Sequence, residues 1–429
     1  MPSIPTTILP DSTLSLMRKP YDFIREECQR QGADLFATRL MLEPTICVTG
    51  PEAAELFYDE DRFRRYGAAP VRVQKTLFGD EGIQSLDGQA HRHRKRMLMD
   101  LTTPERARDL AVRFRQLWRS TVPRWASADR VVLYDEVREL ITRSVLPWAG
   151  IPVDEDEIPT RTRQLSSLFE TAGAVGPKHW KGRMDRWQAD RWAGDLIQSV
   201  RDGEIDPPEG SPLHEVAWHH DLAERLLDPR EAGVELLNLL RPTVAVGVYI
   251  TFVAHALHQH PTWDDDIDDE RASRWFAEEV RRHYPFFPVV AARTRRSFTW
   301  KGYRFPADRR VLLDVDGTNH DLRVWEDPHE FRPERFREAD HGPYGFIPQG
   351  GGDPETGHRC PGEDITLALT ETALDCLQQT SYGVPAQDQA IDRSRLPALP
   401  SEGFVIDDVE PQPEIEAAIE PPEQRRTAP

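Results

Sequence analysis

The chain has 429 residues, of which 30% are charged and 38% hydrophobic, a balance typical of a globular protein with a large core. Its formal net charge is −19 at pH 7, which argues against nucleic acid or an anionic membrane as its main partner. The N-terminus lacks a continuous apolar segment and there are only four cysteines, so we expect reduced thiols, a cytoplasmic location and no membrane anchor.

The first half of the chain begins with a short β region and continues as helix. Residues 34–49 predict two strands with a turn at Glu43-Pro44. Pro51 follows a glycine and suits the first turn of a helix. Apolar residues then recur at helical spacing up to a loop at 203–213, which is rich in proline, glycine and charge.

The second half changes its period near residue 284. Helical patterns fill 214–284, and 298–305 then predict a hairpin with Lys301-Gly302 in its turn. Residues 309–317 predict a further strand. The chain is irregular from 326 to 360, and a last helix is expected after that.

These elements predict a mainly α protein with a minor β portion. We expect one catalytic domain over residues 1–404. Residues 405–429 are acidic and rich in proline, which predicts a disordered tail.

One predicted core helix contains two residues that are costly there. The run "VELLNLLRPTVAVGVYITFVAHAL" contains Arg241 and Pro242. A buried cation without a partner costs several kcal/mol, and a proline inside a helix costs about 3 kcal/mol. Either Arg241 pairs with a buried acid and Pro242 separates two helices, or these residues serve a site.

Cys360 has surroundings that suit a metal ligand. An isolated cysteine is usually a small buried hydrophobe. Here Pro361 can occupy the first turn of the following helix, whose amides and dipole then favour a thiolate, and Arg359 adds positive charge. The glycines at 350–352 let backbone approach a flat group. A single thiolate without a second cysteine nearby argues against zinc or an iron–sulfur cluster and suits haem.

Three motifs in order resemble those of the cytochrome P450 family. Phe346, the glycines and Cys360 match its haem-binding loop, although "GGGDPETGH" lengthens the loop. "EEVRRHYP" resembles the E-x-x-R motif through Glu279 and Arg282, and Arg335 matches the third member of that network. The alternative is coincidence combined with ordinary salt bridges, because E-x-x-R pairs are common on helices.

The resemblance implies the P450 fold, a triangular helical prism that encloses haem b, with Cys360 as the axial ligand of the iron. By the same resemblance, Arg65, His91, Lys95 and Arg359 would face the haem propionates. His91 and Lys95 are four residues apart and share a helix face. The other basic residues of that helix are interpreted as a solvated face: Arg92, Arg94 and Arg96.

Arg241 and Pro242 occupy the place where most of the family carries an acid and a threonine. The chain therefore resembles the fatty-acid peroxygenase branch, which implies hydrogen peroxide as oxidant and no obligatory redox partner. Arg241 would bind the carboxylate of a long-chain fatty acid. That carboxylate would then act as the acid/base that the protein lacks. Pro242 would open the helix, since the Asn238 carbonyl loses its usual donor.

Other catalytic and pocket positions follow from the same resemblance. Gln84 stands where decarboxylating members often carry histidine, and an amide cannot donate a proton as histidine does, so hydroxylation should exceed decarboxylation to alkenes. Four residues match pocket-lining positions, although any one of them could be ordinary core: Leu77, Phe78, Phe286 and Phe287.

The sequence thus predicts a peroxide-dependent fatty-acid hydroxylase that acts at the α or β carbon. A P450 monooxygenase fed by a redox partner and a haem-containing fatty-acid sensor without turnover are the alternatives. "HEVAWHH" resembles a zinc motif, but His214 and His219 are five residues apart rather than four, so we reject a zinc site there.

Overall fold

A computed structural model describes residues 2–263, 270–337 and 341–411. About 52% of the chain is helical and sheets are a minor part, so the predicted fold class is confirmed. Residues 412–429, most of the predicted tail, lie outside the described residues.

The helices follow one another through most of the chain. They are α1 Thr13–Arg18, α2 Phe23–Gln31, α3 Pro51–Phe57, α4 Val71–Val73, α5 Gly88–Leu101, α6 Pro104–Ala126, α7 Leu133–Trp148, α8 Ile158–Glu170, α9 Pro177–Arg201, α10 Pro212–Ala217, α11 Pro229–Gln259, α12 Glu270–His283, α13 Val315–Asn319, α14 Gly342–Gly345 and α15 Glu363–Gln378. A π-helical segment, Gln74–Phe78, directly continues α4.

The strands form three separate sheets. They are β1 Leu35–Leu40, β2 Glu43–Thr49, β3 Phe63–Arg64, β4 Val131–Val132, β5 Val289–Thr294, β6 Phe298–Trp300, β7 Tyr303–Phe305, β8 Arg310–Asp314, β9 Thr380–Gly383 and β10 Val405–Pro411. The largest sheet has the order β1-β2-β8-β5-β3, another has the order β4-β10-β9, and β6 pairs with β7. The predicted hairpin at 298–305 is confirmed, with Lys301 and Gly302 at positive φ in its turn.

Two predictions about local structure are wrong. The first turn lies at Met41-Leu42, both at positive φ, and Pro44 instead lies in β2 opposite Arg39. Proline is tolerated there because Pro44 lies near the start of β2, before the pairing with β8 begins at Thr45. The predicted tail does not start at 405, since residues 405–411 form β10 between β4 and β9.

Helix α11 is the centre of the helical core. It packs against α7, α8, α9 and α15 and is buried along almost its entire length. Among the described residues it is the one helix long and apolar enough to cross a membrane, but 94% of its most apolar window is buried inside the protein. Pro242 lies inside α11 without interrupting it, so the predictions that Pro242 opens the helix or separates two helices are wrong.

The three residues of the predicted Glu-Arg-Arg network lie together. Glu279 accepts two hydrogen bonds from the guanidinium of Arg282, both at 2.7 Å, and its carboxylate lies 3.3 Å from Nε of Arg335. It also accepts the backbone N–H of Arg332 at 2.8 Å. Because Glu279 and Arg282 are both fully buried, this pair fixes α12 against the segment that precedes the Cys360 loop.

Glu279→Ala should lower the free energy of unfolding by about 3–5 kcal/mol, because it leaves the buried Arg282 without its counter-charge. Chemical denaturation of the purified protein measures this change. Glu26→Gln removes an exposed pair with Lys19 and should leave the denaturation midpoint unchanged. Equal effects of the two substitutions would contradict a structural role for the buried pair.

Candidate active site

Cys360 lies in a tight loop directly before α15. Its backbone N–H donates to the carbonyl of Gln349 at 3.0 Å, and Nε2 of Gln349 lies 3.6 Å from Sγ. The Gly362 N–H also donates to Sγ. Helix α15 begins at Glu363 with Gly362 as its N-cap, so Pro361 precedes the helix and the prediction that it sits in the first turn is wrong.

The Cys360 thiol is held in a buried setting. Burial raises its pKa, as does the nearby Glu363, whereas the Gly362 N–H and the Lys95 ammonium lower it. Burial outweighs the expected stabilisation of a free thiolate by the start of the helix. Since a bound metal cation deprotonates a thiol outright, this sulfur is better suited to ligating a metal than to acting as a free nucleophile.

The lengthened part of the Cys360 loop closes on itself. Oδ1 of Asp353 accepts the backbone N–H groups of Glu355 and Thr356 at 2.9 and 2.7 Å, and the Thr356 hydroxyl at 2.8 Å. Asp353, Pro354, Glu355 and Thr356 are exposed, so this part of the loop lies at the protein surface. A Cβ on Gly351 would lie 2.7 Å from Ile347, so protein packing also requires glycine here, which the sequence did not reveal.

Three of the predicted cofactor-binding residues lie near this loop, with Lys95 and His91 buried and Arg65 half-buried. The Lys95 ammonium donates to the carbonyls of Gly357 and Arg359. Arg65 donates to a backbone carbonyl at 3.1 Å and lies over an aromatic ring at 4.2 Å. The His91 ring stacks on His358 with centroids 3.9 Å apart. Within the part of the chain that the structure describes, neither Lys95 nor Arg65 forms an ion pair with a carboxylate.

Lys95 and Arg65 therefore lack counter-charges, whereas His91 is neutral at pH 7. Burial lowers the pKa of Lys95 to about 8 and that of His91 to about 4, and Nδ1 of His91 is buried without a partner. A ligand that brought carboxylates would relieve these costs. One thiol that can ligate a metal, together with uncompensated cations, fits haem, which carries one iron and two propionates. Arg359 differs from the other three because Glu363 already pairs with it at 2.6 Å.

Arg241, on α11, is a further buried cation without a counter-charge. It is 5% exposed and donates to the carbonyl of Leu77 at 2.5 Å and to Oδ1 of Asn238 at 3.3 Å. Its Nε is buried without a partner. Burial, followed by the charge of Arg186, lowers its pKa to about 9, so it stays protonated at pH 7. The alternative that Arg241 pairs with a buried acid is wrong, since no described carboxylate forms an ion pair with it.

The predicted pocket residues fall in two groups around α11. Leu77 is buried in the π-helical segment, and its backbone carbonyl accepts a hydrogen bond from Arg241. Phe78 is the last residue of the same segment. The Phe286 ring stacks on Tyr249 of α11 with centroids 4.4 Å apart, and Phe287 is half-buried next to it.

Gln84 lies in a short turn close to the Arg241 side of α11. Its Oε1 is buried without a partner. A Cβ on Gly82 would lie 3.1 Å from this oxygen and 2.8 Å from Nδ2 of Asn238, so both side chains converge on Gly82. Gln84 therefore lies near the residue that accepts a hydrogen bond from Arg241.

A buried acid that the sequence reasoning missed supports this side of the site. Glu235 is fully buried and accepts from Arg94 at 2.7 Å, from the Ile83 N–H at 2.8 Å and from Nδ2 of Asn238 at 3.2 Å. The interpretation of Arg94 as solvated is wrong, because this ion pair holds it in the interior. Glu235, Asn238 and Arg241 are spaced by three residues, which was the available signal for a shared face.

Arg186 of α9 was also missed. It is buried, pairs with Asp190 and donates to the Leu77 carbonyl at 3.2 Å. Two guanidinium groups, those of Arg186 and Arg241, therefore converge on the same backbone oxygen. The local charge is positive, which favours an anionic ligand.

Comparisons with known proteins agree with this geometry. The family model for cytochrome P450 matches residues 254–380. A curated relative, cytochrome P450 71D18 of Mentha gracilis, is 31% identical over 141 residues, covering 31% of this chain and 28% of the relative. The chain therefore matches less than a third of the length of the first curated relatives. Cytochrome P450 716A1 of Arabidopsis thaliana is 22% identical, over 80% of this chain and 78% of its own.

Solved structures match over nearly the whole chain. Cytochrome P450SP alpha (CYP152B1) in complex with (R)-ibuprofen is 49% identical with a TM-score of 0.92, covering 94% of this chain and 99% of that one. Cytochrome P450EX alpha (CYP152N1) with myristic acid is 38% identical with a TM-score of 0.93, covering 96% and 100%. A variant of cytochrome P450 OleT in complex with arachidonic acid is 32% identical with a TM-score of 0.92, covering 96% and 99%.

The predicted resemblance is therefore confirmed, and with it the haem b cofactor, which members of the family bind through a cysteine thiolate. With 49% of residues identical to a CYP152 structure across almost all of both chains, the chain belongs to the cytochrome P450 family, within its CYP152 group.

Proposed function

We propose that the protein is a haem-thiolate peroxygenase that hydroxylates long-chain fatty acids at the α or β carbon with hydrogen peroxide. The observation that carries this proposal is Arg241, a buried guanidinium with neutral acceptors and no described counter-charge. Decarboxylation to a terminal alkene would be a minor outcome. No redox partner would be required.

A fatty acid complements both the buried charge and the apolar side chains of the site. Its carboxylate would supply the counter-charge of Arg241, in a charge-assisted pair that is stronger than the present bonds to neutral oxygens. Its alkyl chain would lie against apolar side chains such as Leu77 and Phe78. The solved relatives hold ibuprofen, myristic acid and arachidonic acid, each of which is a carboxylic acid.

The cofactor would be held on the other side of the site. Cys360 would ligate the haem iron, and Arg65, His91 and Lys95 would pair with the propionates. When bound, haem supplies the chemistry that transfers an oxygen atom from peroxide to a C–H bond. Arg359 would contribute less, because Glu363 compensates its charge.

The substrate itself would supply the acid/base group. Arg241 and Pro242 leave the middle of α11 without a carboxyl group, and the hydroxyl of the adjacent Thr243 donates to the Leu239 carbonyl at 2.8 Å. The carboxylate held by Arg241 would therefore take up and return a proton as peroxide loses water. Gln84 cannot donate a proton as an acid does, so we infer that hydroxylation exceeds decarboxylation.

We also infer a cytoplasmic location. All four cysteines of the chain are free thiols in the structure, as expected in a reducing compartment. The reaction needs a fatty acid and hydrogen peroxide, neither of which requires a partner protein or nucleic acid.

The haem-loaded protein, mixed with myristic acid and hydrogen peroxide but without NAD(P)H or a reductase, should produce 2- or 3-hydroxymyristic acid. Mass spectrometry of the products measures this. Unchanged myristic acid, with turnover only after a reductase and ferredoxin are added, would favour the partner-fed monooxygenase. No turnover under either condition would favour a sensor.

Arg241→Ala should lower kcat/KM for myristic acid by about 10³-fold or more, because it removes both the carboxylate anchor and the positioned acid/base group. The absorption spectrum of the bound haem should not change. Arg241→Lys keeps a positive charge but not the bidentate geometry, so its activity should be intermediate. Full activity of Arg241→Ala would contradict the proposed carboxylate clamp.

Asn238→Ala should raise KM for myristic acid about tenfold with a smaller effect on kcat, because the Arg241 guanidinium loses its link to Glu235 and must be ordered by the substrate. Steady-state kinetics at saturating peroxide separates the two constants. An unaltered KM in Asn238→Ala would show that this link does not orient Arg241.

A further inference from the structure

Helix α9 has one face that leaves large apolar side chains in solvent. Trp180, Met184 and Trp187 are 70, 56 and 54% exposed. Their spacing of four and three residues places them on one side of the helix. The opposite side is buried and carries Arg186, which contacts the Leu77 carbonyl. We call the exposed side of α9 the tryptophan face.

The tryptophan face is bordered by positive charge. Its basic residues are Lys181, Arg183 and Arg191. Within the described residues, the first two form no ion pair, and Arg191 lies 3.7 Å from the exposed Asp195. The acids of this stretch do not neutralise the face, since Asp185 pairs with Arg163 and Asp190 with Arg186 on its buried side. The face is therefore locally positive, although the whole chain has a net charge of −19.

A neighbouring segment extends the same surface. Val71 is 63% exposed, and Arg72 and Lys75 next to it are also exposed. Arg72 is close enough to His179 of α9 to lower the pKa of that imidazole, after the effect of burial. The π-helical segment that follows packs against α9 and carries Leu77. The tryptophan face is therefore adjacent to the Arg241 side of the site.

We propose that the tryptophan face docks on the surface of a lipid bilayer that contains anionic lipids. Tryptophan is favoured at the boundary between headgroups and acyl chains, and lysine and arginine next to it are attracted to anionic headgroups. A helix with an apolar stripe flanked by cations lies in the interface rather than across it. The protein would bind the membrane peripherally through one patch and stay acidic elsewhere.

A second copy of the chain is a poorer occupant of this face. In a two-fold symmetric dimer the same patch meets itself, which would bring Lys181 and Arg183 close to their own equivalents. Like charges repel across such an interface. Anionic lipid headgroups, by contrast, complement the charge of the face.

Docking would place the proposed substrate site next to the phase in which long-chain fatty acids concentrate. This consequence rests on the proposed function, but the docking itself does not. Binding to vesicles can therefore be measured without any turnover. If the protein does not dock on membranes, the proposed peroxygenase activity can still be tested, and the reverse also holds.

Flotation of the haem-loaded, full-length protein with vesicles tests the proposal. Vesicles of phosphatidylcholine with phosphatidylglycerol should carry the protein to the top of the gradient, and pure phosphatidylcholine vesicles should carry about tenfold less or none. Added salt should release the protein, because it screens the headgroup charge. Absence of binding to the anionic vesicles, or equal binding to both kinds, would overturn the proposal.

The double variant Trp180→Gln/Trp187→Gln should reduce binding to the anionic vesicles at least about tenfold. Trp218→Gln is the matched control, since Trp218 is 42% exposed but follows α10, outside the tryptophan face. Haem absorbance before flotation verifies that each variant is folded. Sedimentation velocity tests the competing role of this face in self-association. If the unchanged protein is a dimer, the double variant is a monomer and vesicle binding is retained, the face serves self-association and the proposal is overturned.

Discussion

The site depends on a positive charge that the protein buries without neutralising it. Arg241 lies in the most apolar helix of the chain, and its bonds go to a backbone carbonyl and an amide oxygen. Burying such a charge costs several kcal/mol unless it is paired. The nearest buried acid of its own helix face, Glu235, is already engaged by Arg94. The positive charge is thereby preserved for a ligand, and the remaining packing around α11 holds it in place.

The cofactor side of the site repeats this arrangement. The side chains of Lys95 and Arg65 hydrogen-bond only to neutral backbone carbonyls, so their charges are available to an anionic ligand. The haem propionates and the fatty-acid carboxylate would thus each find positive charge that the protein has not neutralised. The stability of the free protein is reduced accordingly, because uncompensated buried cations favour unfolding until a ligand binds.

The sequence could predict those parts of the site whose residues lie close together along the chain. Cys360 with its preceding glycines, and Glu279 with Arg282 one helical turn later, could be predicted because neighbouring positions carry the signal. Arg94 and Glu235 could not, because they are 141 residues apart and nothing in either segment identifies its partner. The strand at 405–411 was missed for the same reason, since its acidic composition resembles a tail and only β4 and β9 make it a strand.

The sheet β4-β10-β9 also has a consequence for the order in which the chain can fold. Its middle strand is the last of the three along the chain, and it pairs with β4 across more than half of the sequence. Neither outer strand can form its ladder until residues 405–411 have left the ribosome. Because closing so large a loop is entropically costly and slow, we expect the helical core to assemble before β10 joins the start of α7 to the end of α15.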